Sequence, residues 1–345
     1  EQLLTALNSL SNPEDIKIGF ESTAHYALNL ELFLENAHHS FMEVNPVLIK
    51  EYKKSTTLRR TKTDSVDCES IARWLITVEY KPHSKGFYHA YSLKSLTRLR
   101  DRLIRQRSFY LVKITNVLDH TFPEFKPFFN ERLSKTALYL LENYGSAEKM
   151  ARMNSASYDK LRCISRGKFS IQQFLRLKEL AANTVGVNNS IFDLELNTLL
   201  TLYKSLSDEI NTLETEIIKL IEEVHPHYMS IPGIGPISSA VIYAEYGDIS
   251  NFSNPGQMLA FAGIEPGIND SGTESHGGRM VKHGSSQLRY VLLNACLPLI
   301  RFDLTFATYY EKKRAEGKKH RVAITHVAKK LIRVIYALER QDVDF

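Results

Sequence analysis

A chain of 345 residues, 43% hydrophobic and 24% charged, carries enough apolar material for two or three domains and does not belong to the disordered or fibrous classes. Its net charge of +5 hints at an anionic partner without naming one. The three cysteines, Cys68, Cys163 and Cys296, lie far apart and off zinc-ligand spacing, which points to a reduced cytoplasmic protein. The longest apolar run, residues 290–300, contains Asn294 and Pro298 and is too short to span a bilayer, and no signal peptide is evident.

The chain has no initiator Met and opens inside an amphipathic helical pattern over residues 1–10, as a fragment would. After a turn at Asn12-Pro13, IKIGF (16–20) predicts a buried strand with Glu21 at its carboxyl end. Ser22 or Thr23 then caps a helix over 25–36. A second strand, 40–44, ends at Asn45-Pro46, and a helix over 47–54 leads into a basic loop with Lys53, Lys54, Arg59, Arg60 and Lys62. The next helix starts with Asp64 as N-cap and Asp67 in a capping-box-like position. At about 100° per residue, Asp64, Cys68, Ile71, Leu75 and Val78 share a stripe with Asp67 beside it, so both acids fall on the face expected to be buried. They are either residues that favour a helix N-terminus or metal ligands. Alternating strands and helices imply a parallel sheet, whose sites lie outside the carboxyl ends of the strands. Glu21, Asp64 and Asp67 would offer three hard oxygens suited to Mg²⁺ or Mn²⁺. The basic loop is either a solvated connector or a hold on a phosphodiester.

From 81 to 225 helical patterns dominate. Residues 94–113 carry seven Lys and Arg, Arg98, Arg102 and Arg105 among them, against Asp101 alone. Such a helix tracks a nucleic-acid backbone or pairs with an acidic partner. Residues 193–223 supply that partner, with eight acids against two lysines. Leu196, Leu199, Tyr203, Leu206, Ile210, Leu213, Ile217, Leu220 and Val224 keep a 3–4 spacing, which is a coiled-coil pattern able to space domains or join two chains. Between them, 121–187 reads as short helices. There His120, Cys163, Phe122, Phe125, Phe128 and Phe129 are expected in packing roles.

In the C-terminal third, IPGIGP (231–236) opens a helix. Gly233 and Gly235 would let a backbone come close and leave helix-start N–H groups for phosphate, as in half of a helix-hairpin-helix; an ordinary helix turn is the other reading. Residues 262–289 hold six glycines with Arg279, Lys282, His283 and Arg289, and read as a long loop that is functional or disordered, a plain Ser/Gly surface loop being the reading that spacing alone favours. Ser271, before Gly272, can serve as an exposed nucleophile, although spacing does not separate it from Ser275, Ser285 or Ser286. Helices over 288–307 and 323–339 flank the basic segment EKKRAEGKKHR, which is either a nucleic-acid contact or a solvated loop.

Four blocks, GFESTAHY (19–26), RTKTDSVDCESIAR (60–73), IPGIGPISSAVIYAEYGDISNF (231–252) and GIEPGINDSG with VKHGSSQLR (263–289), together resemble the bacterial insertion-sequence transposases of the IS110 family in order and spacing. That resemblance implies a fold of class α/β plus all-α. A partial RuvC-like (RNase H-like) domain over 1–80 would be followed by a helical and coiled-coil region over 81–225. A serine transposase domain with a helix-hairpin-helix would occupy 226–345. It implies Glu21, Asp64 and Asp67 as the second, third and fourth acids of a DEDD tetrad binding Mg²⁺ or Mn²⁺, with the first aspartate on an earlier strand outside this sequence. It also implies Ser271 as nucleophile, with His283 where arginine is usual. Gly233, Gly235, Arg279, Lys282, His283, Arg289, Arg98, Arg102, Arg105, Arg60 and Lys62 are the expected nucleic-acid contacts. Partners would be donor and target DNA, a guide (bridge) RNA and further copies of the chain in a dimer or tetramer, in the bacterial cytoplasm. Two rival readings are a RuvC-like nuclease that uses activated water, and a non-catalytic nucleic-acid scaffold.

Overall fold

The computed structural model describes residues 2–10, 16–21, 27–56, 63–80, 82, 87–130, 133–271 and 274–345. Ser22, Thr23, Arg59, Arg60 and Lys62 lie outside the described residues. The chain is mostly helical and divides into two compact units, Glu1–Tyr88 and His89–Phe345.

In the first unit, α1 (Gln2–Leu10) is followed by β1 (Ile18–Glu21), α2 (Ala27–Asn36), β2 (Phe41–Val44), α3 (Pro46–Thr56) and α4 (Asp64–Thr77). The strands pair in parallel, Ile18 opposite Phe41 and Glu21 opposite Val44, as the strand–helix alternation implied. Because side chains alternate across a strand, the sheet packs on both faces. Phe41 joins Leu7 and Leu34 on one side, with Ile18 and Phe20 beside them. Val44 joins Ile49, Ile71 and Leu75 on the other. The β1 strand begins and ends one to two residues later than the apolar run suggested, which brings Glu21 into the ladder.

The second unit holds two long helices, α5 (Phe87–Thr121) and α11 (Ser190–Val224), with five short ones between them: α6 (Phe125–Phe128), α7 (Lys135–Tyr144), α8 (Ala147–Ala151), α9 (Ser155–Ile164) and α10 (Ile171–Ala182). Four of the five short helices start on side-chain caps, with Ser134, Ser146, Asn154 and Ser170 accepting from backbone N–H groups. Phe122 and Phe125 are fully buried among them, and His120 stacks on Phe192 at 5.9 Å, so the aromatic cluster packs. The long helices run antiparallel. Leu93 meets Ile217 and Ile221 at one end, Arg100 binds Glu214, and Ile114 and Leu118 meet Leu196 and Leu200 at the other. At both ends the 3–4 stripe of α11 therefore faces α5 of the same chain.

Beyond a 3-10 turn (His227–Ser230) come α12 (Pro236–Tyr246), a second such turn (Ile249–Asn251) and α13 (Pro255–Ala262). A hairpin of β3 (Pro266–Ser271) and β4 (Glu274–Met280) follows, then α14 (Ser286–Phe302), α15 (Leu304–Ala315) and α16 (His320–Gln341). The helix expected over 288–307 breaks at Asp303, whose carboxylate accepts from Phe306 N at 2.8 Å and starts α15. The core is apolar and centred on α16, with Val327, Ala328, Leu331, Ile332 and Ile335 fully buried. No single described helix is long and apolar enough to cross a membrane.

Candidate active site and nucleic-acid interface

The acids of the first unit sit where the sheet ends. A Cβ added to Gly19 would lie 2.6 Å from Leu75 Cδ1, so α4 presses directly on β1. Glu21, two residues on, shares that face. The Tyr80 hydroxyl, just past the end of α4, bonds Ile18 N and O at 3.2 Å and Ser40 O at 3.0 Å, near the starts of both strands. The α4 helix thus runs opposite to β1 and brings its N-terminus to the carboxyl end where Glu21 stands.

Thr63, and not Asp64, is the N-cap, its hydroxyl accepting from Val66 N at 3.4 Å. The buried stripe is also shorter than expected. Ile71 and Leu75 are buried, but Asp64 and Cys68 are exposed and Asp67 is half-buried. The reason is that α4 meets the sheet only through its second half, so its first turn projects past the strand ends.

The Asp67 Oδ1 oxygen is buried, has no hydrogen-bond partner and is met by the Lys53 ammonium of α3 in an ion pair. Among the described residues no three His, Cys, Asp or Glu side chains form a group able to hold a metal. The carboxylates are the hard oxygen donors that suit Mg²⁺, but Asp64 is exposed and Asp67 is engaged by Lys53. The three acids do not close around a point.

The opposite face of the sheet carries an acid pair that the sequence reading missed. Glu31 of α2 is 2% exposed. Its burial, a hydrogen bond with Glu43 of β2 and the charge of Glu43 raise its pKa to about 8. The available signal was its position on the apolar stripe of α2, one turn from Ala27 and from Leu34.

In the second unit, the Gly-rich stretch expected as a loop is an antiparallel hairpin, with Ser271 opposite Glu274 at the last position of β3. Its base is stitched: Val281 N donates to Glu265 O at 2.8 Å, Ser285 N to Phe261 O at 3.2 Å, and Arg289 NH1 to Ala262 O at 3.0 Å. Gly263 has φ +65°, and a Cβ on Gly284 would fall 2.0 Å from Phe261 O. The glycines of the two blocks therefore let two backbones touch. Ser285 caps α14 and Ser286 is its first residue, which gives both serines helix-start positions. Arg279 lies on β4, Lys282 and His283 are exposed just beyond it, and Arg289 closes the end of α13.

The two glycines of the IPGIGP turn differ. Gly233 has φ +99°, and its missing Cβ leaves room for Pro298 of α14, which would otherwise be 2.5 Å away. Gly235 is the N-cap of α12 and faces open space. The preceding element is a 3-10 turn, so a second α-helix of a hairpin does not directly flank it. Of the α5 cations, Arg98 makes a two-pronged ion pair with Glu245 of α12 at 3.0 and 3.2 Å. Arg105 pairs with Asp101, and Arg102 is exposed.

Two family models match the chain. One, described as a transposase of the DEDD IS110 type, covers residues 1–123; the other, described as the transposase IS116/IS110/IS902 family, covers 226–311. Over these two stretches the chain is similar to the transposases of the IS110/IS116/IS902 family. The insertion element IS110 uncharacterized 43.6 kDa protein of Streptomyces coelicolor is 28% identical to it over 66% of this chain and 58% of its own length. The corresponding IS900 42 kDa protein of Mycobacterium paratuberculosis is 28% identical over 81% of this chain and 71% of its own. The transposase for insertion sequence element IS1111A of Coxiella burnetii is 25% identical over 75% of this chain and 59% of its own. The chain thus spans about three-fifths of the length of two of these relatives.

Proposed function

We propose that the chain is the DNA-cutting and rejoining enzyme of an insertion sequence and that Ser271 is its nucleophile. The observation that carries this reading is the place of Ser271: the end of a strand in a hairpin whose base is pinned to a large core and flanked by Lys282 and His283. The serine oxygen attacks a backbone phosphorus and gives up its proton. The P–O bond to one DNA strand breaks, that strand leaves with the bond's electron pair, and the phosphate stays esterified to Ser271. Attack by another strand's hydroxyl reverses the step and rejoins DNA.

Glu21, Asp64 and Asp67 would hold Mg²⁺ or Mn²⁺. Such an ion, when bound, polarises the phosphoryl oxygens and favours the ionised hydroxyl. Holding it requires Lys53 to release Asp67. Guide RNA enters this reading through the family resemblance, as the source of sequence choice while the protein reads backbone and shape. Exposed Phe109 and Val112 on α5 offer apolar contact to a second copy.

The test is a denaturing gel of the protein with labelled donor DNA and Mg²⁺. A covalent protein–DNA adduct is expected from the unaltered chain, with none from Ser271→Ala and none from Asp67→Asn. An adduct persisting in Ser271→Ala moves the nucleophile elsewhere. Cleavage with no adduct would favour the water-using nuclease.

A further inference from the structure

We propose that the exposed face of α16, together with the turn between α15 and α16, binds a phosphodiester backbone and leads it toward the base of the Ser271 hairpin. The proposal rests on reading the chain as a nucleic-acid enzyme, and it adds a surface separate from the hairpin and from α5.

Charge distribution supplies the first argument. Residues 304–335 hold nine Lys and Arg against two Glu, a net of +7 that exceeds the +5 of the whole chain. The remainder of the protein is therefore slightly acidic in sum, the cations of 94–113 being offset by acids such as those of 193–223. Charge on that scale within two packed helices repels itself unless an anion lies against it.

Geometry supplies the second argument. In α16 the buried residues Ile324, Val327, Ala328, Leu331 and Ile335 face the core, which turns Thr325, His326, Lys329 and Arg333 outward at 3–4 spacing. Arg333 is exposed, and Lys312, Lys319 and Arg321 are exposed around the turn, as is Arg314, which donates to Lys318 O at 2.7 Å. Other cations in the hairpin are already occupied. Lys313 bonds both oxygens of Glu316 at 2.9 Å, and Lys330 lies over the rings of Phe306 and Tyr309 at 5.0 and 5.2 Å. Helix α16 also begins without a side-chain cap, on Lys319. It thus places Lys318, Lys319 and Arg321 at the end where the helix dipole disfavours cations. A phosphate there would be met by both the side chains and the free first N–H groups.

The electrostatics show how closely the stripe is gathered. Burial, then Lys329, Lys313 and Lys318, hold the His326 imidazole below its ordinary pKa, with Glu316 opposing. Burial lowers the pKa of Lys329, Arg333 adds to this, and Glu265 opposes it. Glu265 is also the residue whose carbonyl accepts from Val281 N at the base of the hairpin. The charge of Glu265 thus reaches Lys329, in the middle of the stripe, from the base of the hairpin. A backbone laid along α16 would thus pass near the base of the hairpin.

The test is fluorescence anisotropy with the full chain across about 50–200 mM salt, using a labelled duplex DNA and, separately, a labelled single-stranded RNA. Two double variants are compared, Lys329→Gln with Arg333→Gln and Lys318→Gln with Lys319→Gln. Each should flatten the slope of log K against log salt by about 1.8 on duplex DNA or about 1.4 on single-stranded RNA. Lys160→Gln with Lys168→Gln, exposed and remote in sequence, should leave it unchanged. Circular dichroism checks that each variant is folded. Flattening on one probe alone assigns the site to that nucleic acid. Slopes equal to that of the unaltered chain in both double variants on both probes overturn the proposal. So does equal flattening in the Lys160/Lys168 control, or the absence of salt-dependent binding by the unaltered chain. If the slope flattens while no serine adduct ever forms, the surface stands and the Ser271 reading falls.

Discussion

In the first unit, among the described residues, four buried residues on one face of a two-stranded sheet and three on the other do the packing that positions Glu21 and Asp67. In the second, twenty-three buried residues stand behind the hairpin that carries Ser271. The contrast extends to what is buried. The smaller unit holds a proton-sharing carboxyl, Glu31, and an acid met by a lysine, Asp67. The larger core is almost wholly apolar, and one of its titratable contacts, the pairing of His227 with Asp342 and Asp344, lies at the edge. Protonation and ion binding should therefore act directly on the stability of the acid-bearing unit, whereas the serine-bearing unit should answer mainly to changes in packing.

The largest expected effect tests that division. Leu331→Ala, at a fully buried position in α16, should cost roughly 2–5 kcal/mol. In calorimetry the transition of the second unit should fall while that of the first stays in place. Transitions that move together would show the two units to be one cooperative body.

Next in size is the acid pair. Folded Glu31 keeps, up to about pH 8, a proton that an ordinary carboxyl with a pKa of 4.5 releases. The folded state thus binds more protons than the unfolded one between those values, and the first unit should lose stability as pH rises through that window. Glu31→Gln should remove this slope, read as amide exchange of β2 at several pH values. An unchanged slope would mean that another group carries it.

The smallest effect is the histidine clasp. Hydrogen bonds that the imidazolium donates to Asp344 and Asp342 raise the His227 pKa above 6.5. The stabilisation is complete below that value and fades as pH rises through the folded pKa. Proteolysis of the C-terminal segment should accelerate over that range, and His227→Gln should flatten the dependence.

Much of the architecture was legible because its signals are local. The alternation of apolar runs gave the parallel pair, and the opposite charges of 94–113 and 193–223 gave the long antiparallel helices, joined by Arg100 and Glu214. The hairpin at 266–280 was not legible, because its strands are rich in glycine and polar residues and carry no alternating pattern; the stitches at Gly263 and Gly284 that fix it are contacts between distant segments. Position also misled at the first turn of α4. Periodicity placed Asp64 and Asp67 on the inward stripe, but it does not say where a neighbouring sheet stops, and β1 ends before that turn begins. The same limit hid the Glu31–Glu43 pair, which exists only because α2 crosses β2 at that point.

The paired long helices have a mechanical consequence. Each runs 35 residues, about 50 Å of rod, and they are locked together near both ends. Two rods fastened in this way resist shear and twist as one strut, so a torque applied to the bundle of short helices at one tip is delivered to α12 and the serine-bearing core at the other. Removing seven residues from each rod would shorten the strut by roughly 10 Å and keep the same faces in contact, whereas removing four would turn one end against the other. The span between the bundle of short helices and the hairpin-bearing core is in that sense a tunable length written in heptads.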